Sequence, residues 1–334
     1  MAKVIDTSHG MRLVVQPDDG VRSVTALIDA ARHSVSIKMF TFTSPEILAA
    51  LEAAVGRGVT VRVMLNPQRS SGSRANDETR DRLTRSGIQC DWSSPGFAVT
   101  HEKSMVVDGR TTLIATFNFC EKYFTTTRDY GLVLQDEAVA AEVGACFEAD
   151  LARQPFEPGP GSRLLWSNKG SRQVMCDFID GAVKSLSVQH PKFVDMTVLD
   201  RLMAALDRGV AVKVLCGGKH GISDYDLLDT FSSLHMLRRA GARIHKQHGL
   251  RTHAKLILAD DVRALVGSMN IDRSAFDLRR ELGIVIGAPE IVLGLKRVFD
   301  GDWDESKRYD APDPLMAAAH VENDQPHDPD YVHE

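Results

Sequence analysis

Long apolar runs are missing from this 334-residue chain. No stretch reaches the eighteen or so consecutive apolar residues of a membrane-spanning helix. Cysteine is scarce. The five present (Cys90, Cys120, Cys146, Cys176, Cys216) are odd in number, scattered, and not paired at metal-ligand spacing. That excludes a disulfide scaffold and points to buried free thiols in a reducing compartment. No phosphate-loop or dinucleotide glycine pattern occurs, so a nucleotide cofactor is unsupported. Charge of one sign does not dominate the body of the chain. Residues 300–334 hold eleven acids against two bases, which leaves 1–299 with 38 bases against 34 acids. That balance neither announces nor excludes a nucleic-acid partner. The opening Met1-Ala-Lys-Val-Ile-Asp lacks the apolar core of a signal peptide. The chain as given is therefore expected to be cytoplasmic, and secreted only if an export signal was trimmed from it.

What is present is the balance of a soluble globular protein, 43% hydrophobic and 25% charged, at a length suited to two domains. The chain repeats itself. Residues 28–37 (Ile-Asp-Ala-Ala-Arg-His-Ser-Val-Ser-Ile) match 179–188 (Ile-Asp-Gly-Ala-Val-Lys-Ser-Leu-Ser-Val), and Gly-Arg-Gly-Val-Thr-Val-Arg-Val answers Asp-Arg-Gly-Val-Ala-Val-Lys-Val at 207–214. Ile47, Leu48, Leu51 and Val55 recur at helical intervals, as do Leu199, Leu202, Leu206 and Val210; Gly58 and Gly209 are placed to stop those helices. Apolar strands alternating with helices predict an α/β fold. The expected division is a first domain over 1–153, a linker over the Pro- and Gly-rich 154–162, a second domain over 163–309, and an acidic, poorly ordered tail over 310–334.

The polar residues repeat more strictly than the apolar ones. Thr100-His101-Glu102-Lys103 leads to Asp108, then Asn118, then Asp129; Thr252-His253-Ala254-Lys255 leads to Asp260, Asn270 and Glu281. Every pair is 152 residues apart. A histidine and a lysine two apart leave a strand on the same face, and Asp108-Gly109 is a hairpin signal. The return strand then delivers Asn118. An imidazole, a fixed positive charge and an amide converging on one spot suit an anionic centre such as a phosphate. Asp108 and Asp260 are explained by turn chemistry, a structural role. Asp129 and Glu281 are either surface charges beside Arg128 and Arg280 or acceptors that fix an imidazole tautomer. The cluster His245, His248, His253 and the tail histidines His320, His327 and His333 lack a ligand scaffold, and no metal is expected.

The doubled His-x-Lys-x4-Asp, each copy followed by Asn, resembles the phospholipase D superfamily over roughly residues 20–305. Gly267-Ser268-Met269-Asn270 fits that family's Gly-Ser-x-Asn pattern, whereas Ala115-Thr116-Phe117-Asn118 departs from it, which makes the two sides of the site unequal. The resemblance implies two tandem similar α/β/α domains, packed around a pseudo-twofold axis with one shared active-site cleft. It also implies a metal-independent reaction through a phosphohistidine, without cofactor. Carried over, His101 is the nucleophile and His253 the general acid/base. Lys103, Lys255, Asn118 and Asn270 clamp phosphoryl oxygens, Thr116 and Ser268 support them, and Asp129 orients His101 while Glu281 orients His253.

The substrate is less legible. Phe117, Phe119, Tyr123 and Phe124 would suit acyl chains, stacked bases or plain packing. Arg69, Arg74, Arg80, Arg82 and Arg85, with Lys246, Arg251 and Arg273, would form a nucleic-acid track only if not matched by nearby acids. The absence of apolar spans points away from an integral cardiolipin synthase. The first expectation is a monomeric phospholipase or phosphatidyl transferase acting on a phospholipid with water or an alcohol as acceptor. A nuclease is the alternative, and an inactive scaffold a remote one. Loops 67–79 and 217–225 are expected to set that choice.

Overall fold

The computed structural model describes residues 10–69, 72–219, 222 and 224–314. The expected tail therefore lies largely outside the described residues, with His320, His327 and His333. The first half runs β1 (Met11–Gln16), α1 (Arg22–Asp29), β2 (Ser34–Met39), α2 (Pro45–Gly56), β3 (Thr60–Leu65), α3 (Asp77–Arg85), β4 (Gln89–Trp92), β5 (Lys103–Val107), β6 (Thr111–Ala115), α4 (Glu121–Thr125), β7 (Thr127–Gln135) and α5 (Glu137–Leu151). After a stretch without helix or strand at 154–160, the second half follows. It runs β8 (Leu164–Trp166), α6 (Ser171–Asp180), β9 (Ser185–Gln189), α7 (Met196–Asp207), β10 (Ala211–Cys216), α8 (Asp224–Arg239), β11 (Arg243–Lys246), β12 (Arg251–Thr252), β13 (Leu256–Ala259), β14 (Arg263–Gly267), α9 (Arg273–Asp277), β15 (Leu282–Ile286), α10 (Pro289–Glu305) and β16 (Lys307–Arg308).

The strand orders repeat, β1-β7-β6-β5-β2-β3-β4 in the first sheet and β8-β15-β14-β13-β9-β10-β11 in the second, where β16 adds one more strand beside β11. The chain is thus two tandem α/β domains. The Val-rich runs became β3 and β10, covered on both faces, because parallel strands with helical crossovers leave neither face to water. The helix ends fall where glycine allows them, with Gly58 at φ 86° and Gly209 at φ 84° just beyond α2 and α7. Val210 belongs to the turn after α7 rather than to the helix, and the opening strands β1 and β8 are elements the periodicity did not reveal.

Each half has its own core, built around Ile37, Val63 and Leu51 in the first and Val188, Val214 and Leu202 in the second. A third cluster joins the halves, with Ile114, Tyr130 and Leu132 meeting Leu256, Val266, Leu282 and Ile284. Those inner faces carry the strands that bear the polar repeat, so docking the sheets brings the two motifs together. All five cysteines are buried and unpaired with one another.

Candidate active site

Each copy of the motif is a hairpin. β5 and β6 turn at Asp108 (φ 52°) and Gly109 (φ 61°), β13 and β14 at Asp260 (φ 56°) and Asp261 (φ 57°). Both aspartates sit at the far end of their strand from the lysine. Asp108 accepts the backbone N–H groups of Arg32, His33 and Ser34 at 3.0, 2.7 and 2.8 Å, and Asp260 those of Val183, Lys184 and Ser185 at 2.9, 2.6 and 2.9 Å. Burial works against their ionisation, yet these donors hold both carboxyls below the usual range. They tie the hairpin to β2 or β9 and touch no part of the imidazole cluster.

At the other end the two halves exchange groups. β12 adds in parallel to β7, pairing Thr252 with Arg128, and Thr100 bridges Arg280 in the same way. The N–H groups of His101 and Glu102 both donate to the Arg280 carbonyl at 2.9 Å, and those of His253 and Ala254 to the Arg128 carbonyl at 3.2 and 2.9 Å. Each histidine is thereby set beside the residue that follows the opposite half's arginine. His101 Nδ1 lies 2.9 and 3.0 Å from the Glu281 carboxylate oxygens, and His253 Nδ1 lies 2.6 Å from Asp129 Oδ1. The assignment implied by resemblance is corrected here. Asp129 partners His253, not His101, and Glu281 partners His101, because the backbone ladders between the halves join each motif to the other half's acid-bearing strand.

All four side chains are buried, the histidines at 0% and 6% exposure. With Nδ1 donating to a carboxylate, each ring presents Nε2 for chemistry. Lys255 Nζ reaches His253 Nε2 at 2.8 Å and the His253 carbonyl at 2.7 Å; Lys103 Nζ donates to the His101 carbonyl at 2.8 Å. The Phe40 ring packs edge-on against His101 at 4.8 Å, and the Tyr123 ring lies tilted against His253 at 4.7 Å. Asn118 accepts the Thr41 N–H at 3.2 Å, and Asn270, its counterpart in the second half, is also buried.

The acids are held differently. Asp129 accepts Thr116 Oγ1 and Thr127 Oγ1, both at 2.6 Å, besides the imidazole. Thr116 also accepts the Tyr130 N–H at 2.9 Å, as Ser268 accepts that of Leu282 at 3.0 Å, so threonine keeps the serine's backbone bond. Burial pushes the Glu281 carboxyl up to about 8, against the pull of Lys103, Arg279 and the Ser268 hydroxyl, with Asp272 adding to the rise.

Other expected residues lie elsewhere. Phe117, Phe119 and Phe124 are packed into the first core rather than rimming a cleft. Arg82 pairs with Glu52, Arg74 with Asp77 and Arg273 with Asp277, while Arg80 lies over Trp92. His245 stacks on Trp303 and meets Ser306, away from His253. Loop 67–79 is fastened to the site: Asn76 bonds the backbone at Phe40, Phe42 and Asn66, and Asn66 Oδ1 accepts the Thr100 N–H at 2.9 Å. A cavity of about 430 Å³ opens between this loop and Ser93–Val99, within two residues of His101. Residues 70, 71, 220, 221 and 223 of the two loops are outside the described set.

Two features escaped the sequence reading. His190, fully buried just past β9, is pushed down to about 3 by burial and by the charge of Lys255. The acids Glu102 and Asp150, with Cys146, form a cluster of possible cation ligands, but Lys38 Nζ occupies its centre at 3.0, 2.7 and 3.3 Å.

The family model described as "Cardiolipin synthase, PLD-like domain" matches residues 24–151 and again 175–303. Cardiolipin synthase 1 of Bacillus anthracis is 25% identical over 88% of this chain and 66% of its own length. The chain thus spans about two thirds of that relative. Polyphosphate kinase of Klebsiella pneumoniae is 29% identical over 53% of this chain and 29% of the kinase. Among solved structures, phosphatidylserine synthase of Haemophilus influenzae Rd KW20 superposes with a TM-score of 0.75 at 14% identity, covering 96% of this chain and 94% of that one. No helix among the described residues is long and apolar enough to cross a membrane. With the doubled motif, the copied sheets and both domain matches in hand, the chain belongs to the phospholipase D superfamily, carrying two PLD-like domains in one polypeptide.

Proposed function

We propose that this protein takes the phosphatidyl group of a phospholipid onto His101 and passes it to an alcohol or to water, with His253 as the acid and base. The observation that carries this reading is the crossed pair of imidazole–carboxylate hydrogen bonds, which engage Nδ1 and so assign the chemistry to Nε2 of each ring, with Lys255 Nζ at His253 Nε2 and Lys103 Nζ at the His101 carbonyl. In the first step the His101 Nε2 lone pair forms a bond to phosphorus. The bond from phosphorus to the leaving oxygen breaks, and that oxygen takes a proton from His253 Nε2. In the second step His253 Nε2 accepts the proton of water or an alcohol, whose oxygen attacks phosphorus as the P–N bond breaks. Lys103, Lys255, Asn118 and Asn270 stabilise the phosphoryl oxygens in both steps.

Two observations favour lipid over nucleic acid. Two of the three relatives named above, a cardiolipin synthase and a phosphatidylserine synthase, are phospholipid enzymes by their descriptions, and the family match covers most of this chain. Arg74, Arg82 and Arg273 are also paired with acids rather than forming an uncompensated track. The test is product analysis without added metal on phosphatidylcholine vesicles with ethanol, and separately on single-stranded DNA. Phosphatidylethanol from the parent, and none from His101→Ala or His253→Ala, is expected. Cleaved DNA with untouched lipid would overturn the substrate, and activity surviving in both variants would overturn the mechanism.

A further inference from the structure

The residues immediately before the two acids are both arginines, and each reaches into the opposite half. Arg128 binds Asp302 of α10 through Nε and Nη2 at 2.8 and 3.0 Å, and Arg280 binds Asp150 of α5 through Nε and Nη2 at 3.0 and 2.7 Å. All four residues are at least nine-tenths buried. The arginines are 152 residues apart, and so are their aspartates. Each arginine therefore does two things at once. Its guanidinium forks onto the opposite half's last long helix, while its carbonyl accepts the N–H of the opposite half's catalytic histidine. Adjacent side chains on an extended strand point to opposite faces. A guanidinium fixed on one face thus fixes the following carboxylate, Asp129 or Glu281, on the other.

We infer that Arg128 and Arg280 are positioning residues, each setting one imidazole–carboxylate pair: Arg128 the His253–Asp129 pair and Arg280 the His101–Glu281 pair. The inference rests on the two-step reaction proposed above for its kinetic form, but not for its geometry. The two clasps are not interchangeable, since they serve different steps. Arg280 acts on the imidazole that attacks phosphorus, and Arg128 on the one that protonates the leaving oxygen and activates the acceptor. Lysine keeps the charge but loses the planar fork, so it tests geometry rather than charge.

The experiment compares Arg128→Lys and Arg280→Lys, using a p-nitrophenyl phosphodiester of the lipid and the ordinary choline diester. p-Nitrophenolate leaves without a proton, so its burst reports attack by His101 alone. Arg280→Lys is expected to slow the burst about 10- to 100-fold, the scale of an ångström-sized misplacement. Arg128→Lys is expected to leave the burst within about twofold while slowing choline release and steady-state turnover by that larger factor. Equal slowing of every step by both variants, or no change in either, overturns the inference. Peptide mapping of the trapped phosphoenzyme in the parent separates the two layers: phosphate on His253 refutes the nucleophile assignment, and the clasp then requires Arg128→Lys to lose the burst. Proton NMR of the two imidazole Nδ1–H signals needs no turnover. Each variant must shift its own signal, His253 for Arg128 and His101 for Arg280, and a variant that shifts both or neither refutes the clasp even if no phosphodiester proves to be a substrate.

Discussion

The two halves of the site use one backbone plan with different polar fillings. On the His253 side the acid is an aspartate with two threonine hydroxyls and an imidazole around it, each at 2.6 Å. On the His101 side the acid is a buried glutamate pushed up to about 8. The surroundings of the clasps differ in the same sense. Asp150 is shared between Arg280 and Lys38, which also pairs with Glu102, whereas Asp302 is shared between Arg128 and the neutral Gln189. Gln189 in turn bonds Tyr130 and Gln247. A duplicated frame therefore keeps where the groups stand while the polar groups around them differ.

The largest effect that would sharpen this contrast is removal of either imidazole. His101→Ala is expected to form no phosphoenzyme with any leaving group. His253→Ala is expected to retain the p-nitrophenol burst while choline release falls about 10²- to 10⁴-fold. Rapid-quench measurement of burst amplitude decides it; a burst that survives in His101→Ala and vanishes in His253→Ala would reverse the roles of the halves.

Next comes the glycine that only one half keeps. A Cβ on Gly267 would stand 2.5 Å from both the Gly283 Cα and the Leu282 carbonyl oxygen, which are backbone atoms and cannot swing away. Gly267→Ala is expected to cost about 1–3 kcal/mol of stability. The mirror change Ala115→Gly should cost only about 0.5–1 kcal/mol. No loss from Gly267→Ala in urea denaturation would show that the second hairpin tolerates a methyl as the first does.

Titration of Glu281 gives a third test, in which rate and stability move oppositely. Ionised Glu281 holds the proton on His101 Nδ1 and leaves Nε2 nucleophilic, so the burst rate should rise with pH through about 8. The folded pKa is raised above the ordinary 4.5. The stability linked to this group is therefore fully present below about 4.5 and is lost as pH rises through about 8. Glu281→Gln should flatten both profiles, and denaturation midpoints at pH 5, 7 and 9 beside burst rates check it. A Glu281→Gln variant that keeps the parent's slope assigns the titration to another group.

The smallest expected effect is at Thr116. Thr116→Ser keeps the hydroxyl on Asp129 and the bond from the Tyr130 N–H, so turnover should stay within about twofold, while Thr116→Val removes a donor worth about 0.5–1.5 kcal/mol to the Asp129 arrangement. Steady-state rates for the pair decide whether the departure at this position matters.

Much of this frame was legible because local spacing carries it. The alternating apolar periods predicted α2, α7, β3 and β10, and the constant interval of 152 singled out His101, Lys103, Asn118, Asp129 and their partners. What stayed hidden has identifiable causes. The same interval describes a pairing within halves and one across them, so spacing alone was blind to the exchange of Asp129 and Glu281. Arg128 and Arg280 carried the same repeat, yet an arginine beside an acid is ordinary on a surface. Their partners Asp150 and Asp302 lie on helices whose buried faces are otherwise apolar. Phe117, Phe119 and Phe124 looked like a rim because aromatics suit rims and cores equally. His190 stands opposite Met39 in the repeat, so no repeated motif drew attention to it.

By itself, the sequence determined two α/β units and the hairpins that present each histidine and lysine together. These depend on backbone preferences and on contacts within a few residues. Only the tertiary structure decided which acid serves which imidazole. Those bonds join residues 180 and 124 positions apart. Their partners are chosen by the docking of two sheets and the carbonyl ladders between them, which no local spacing encodes.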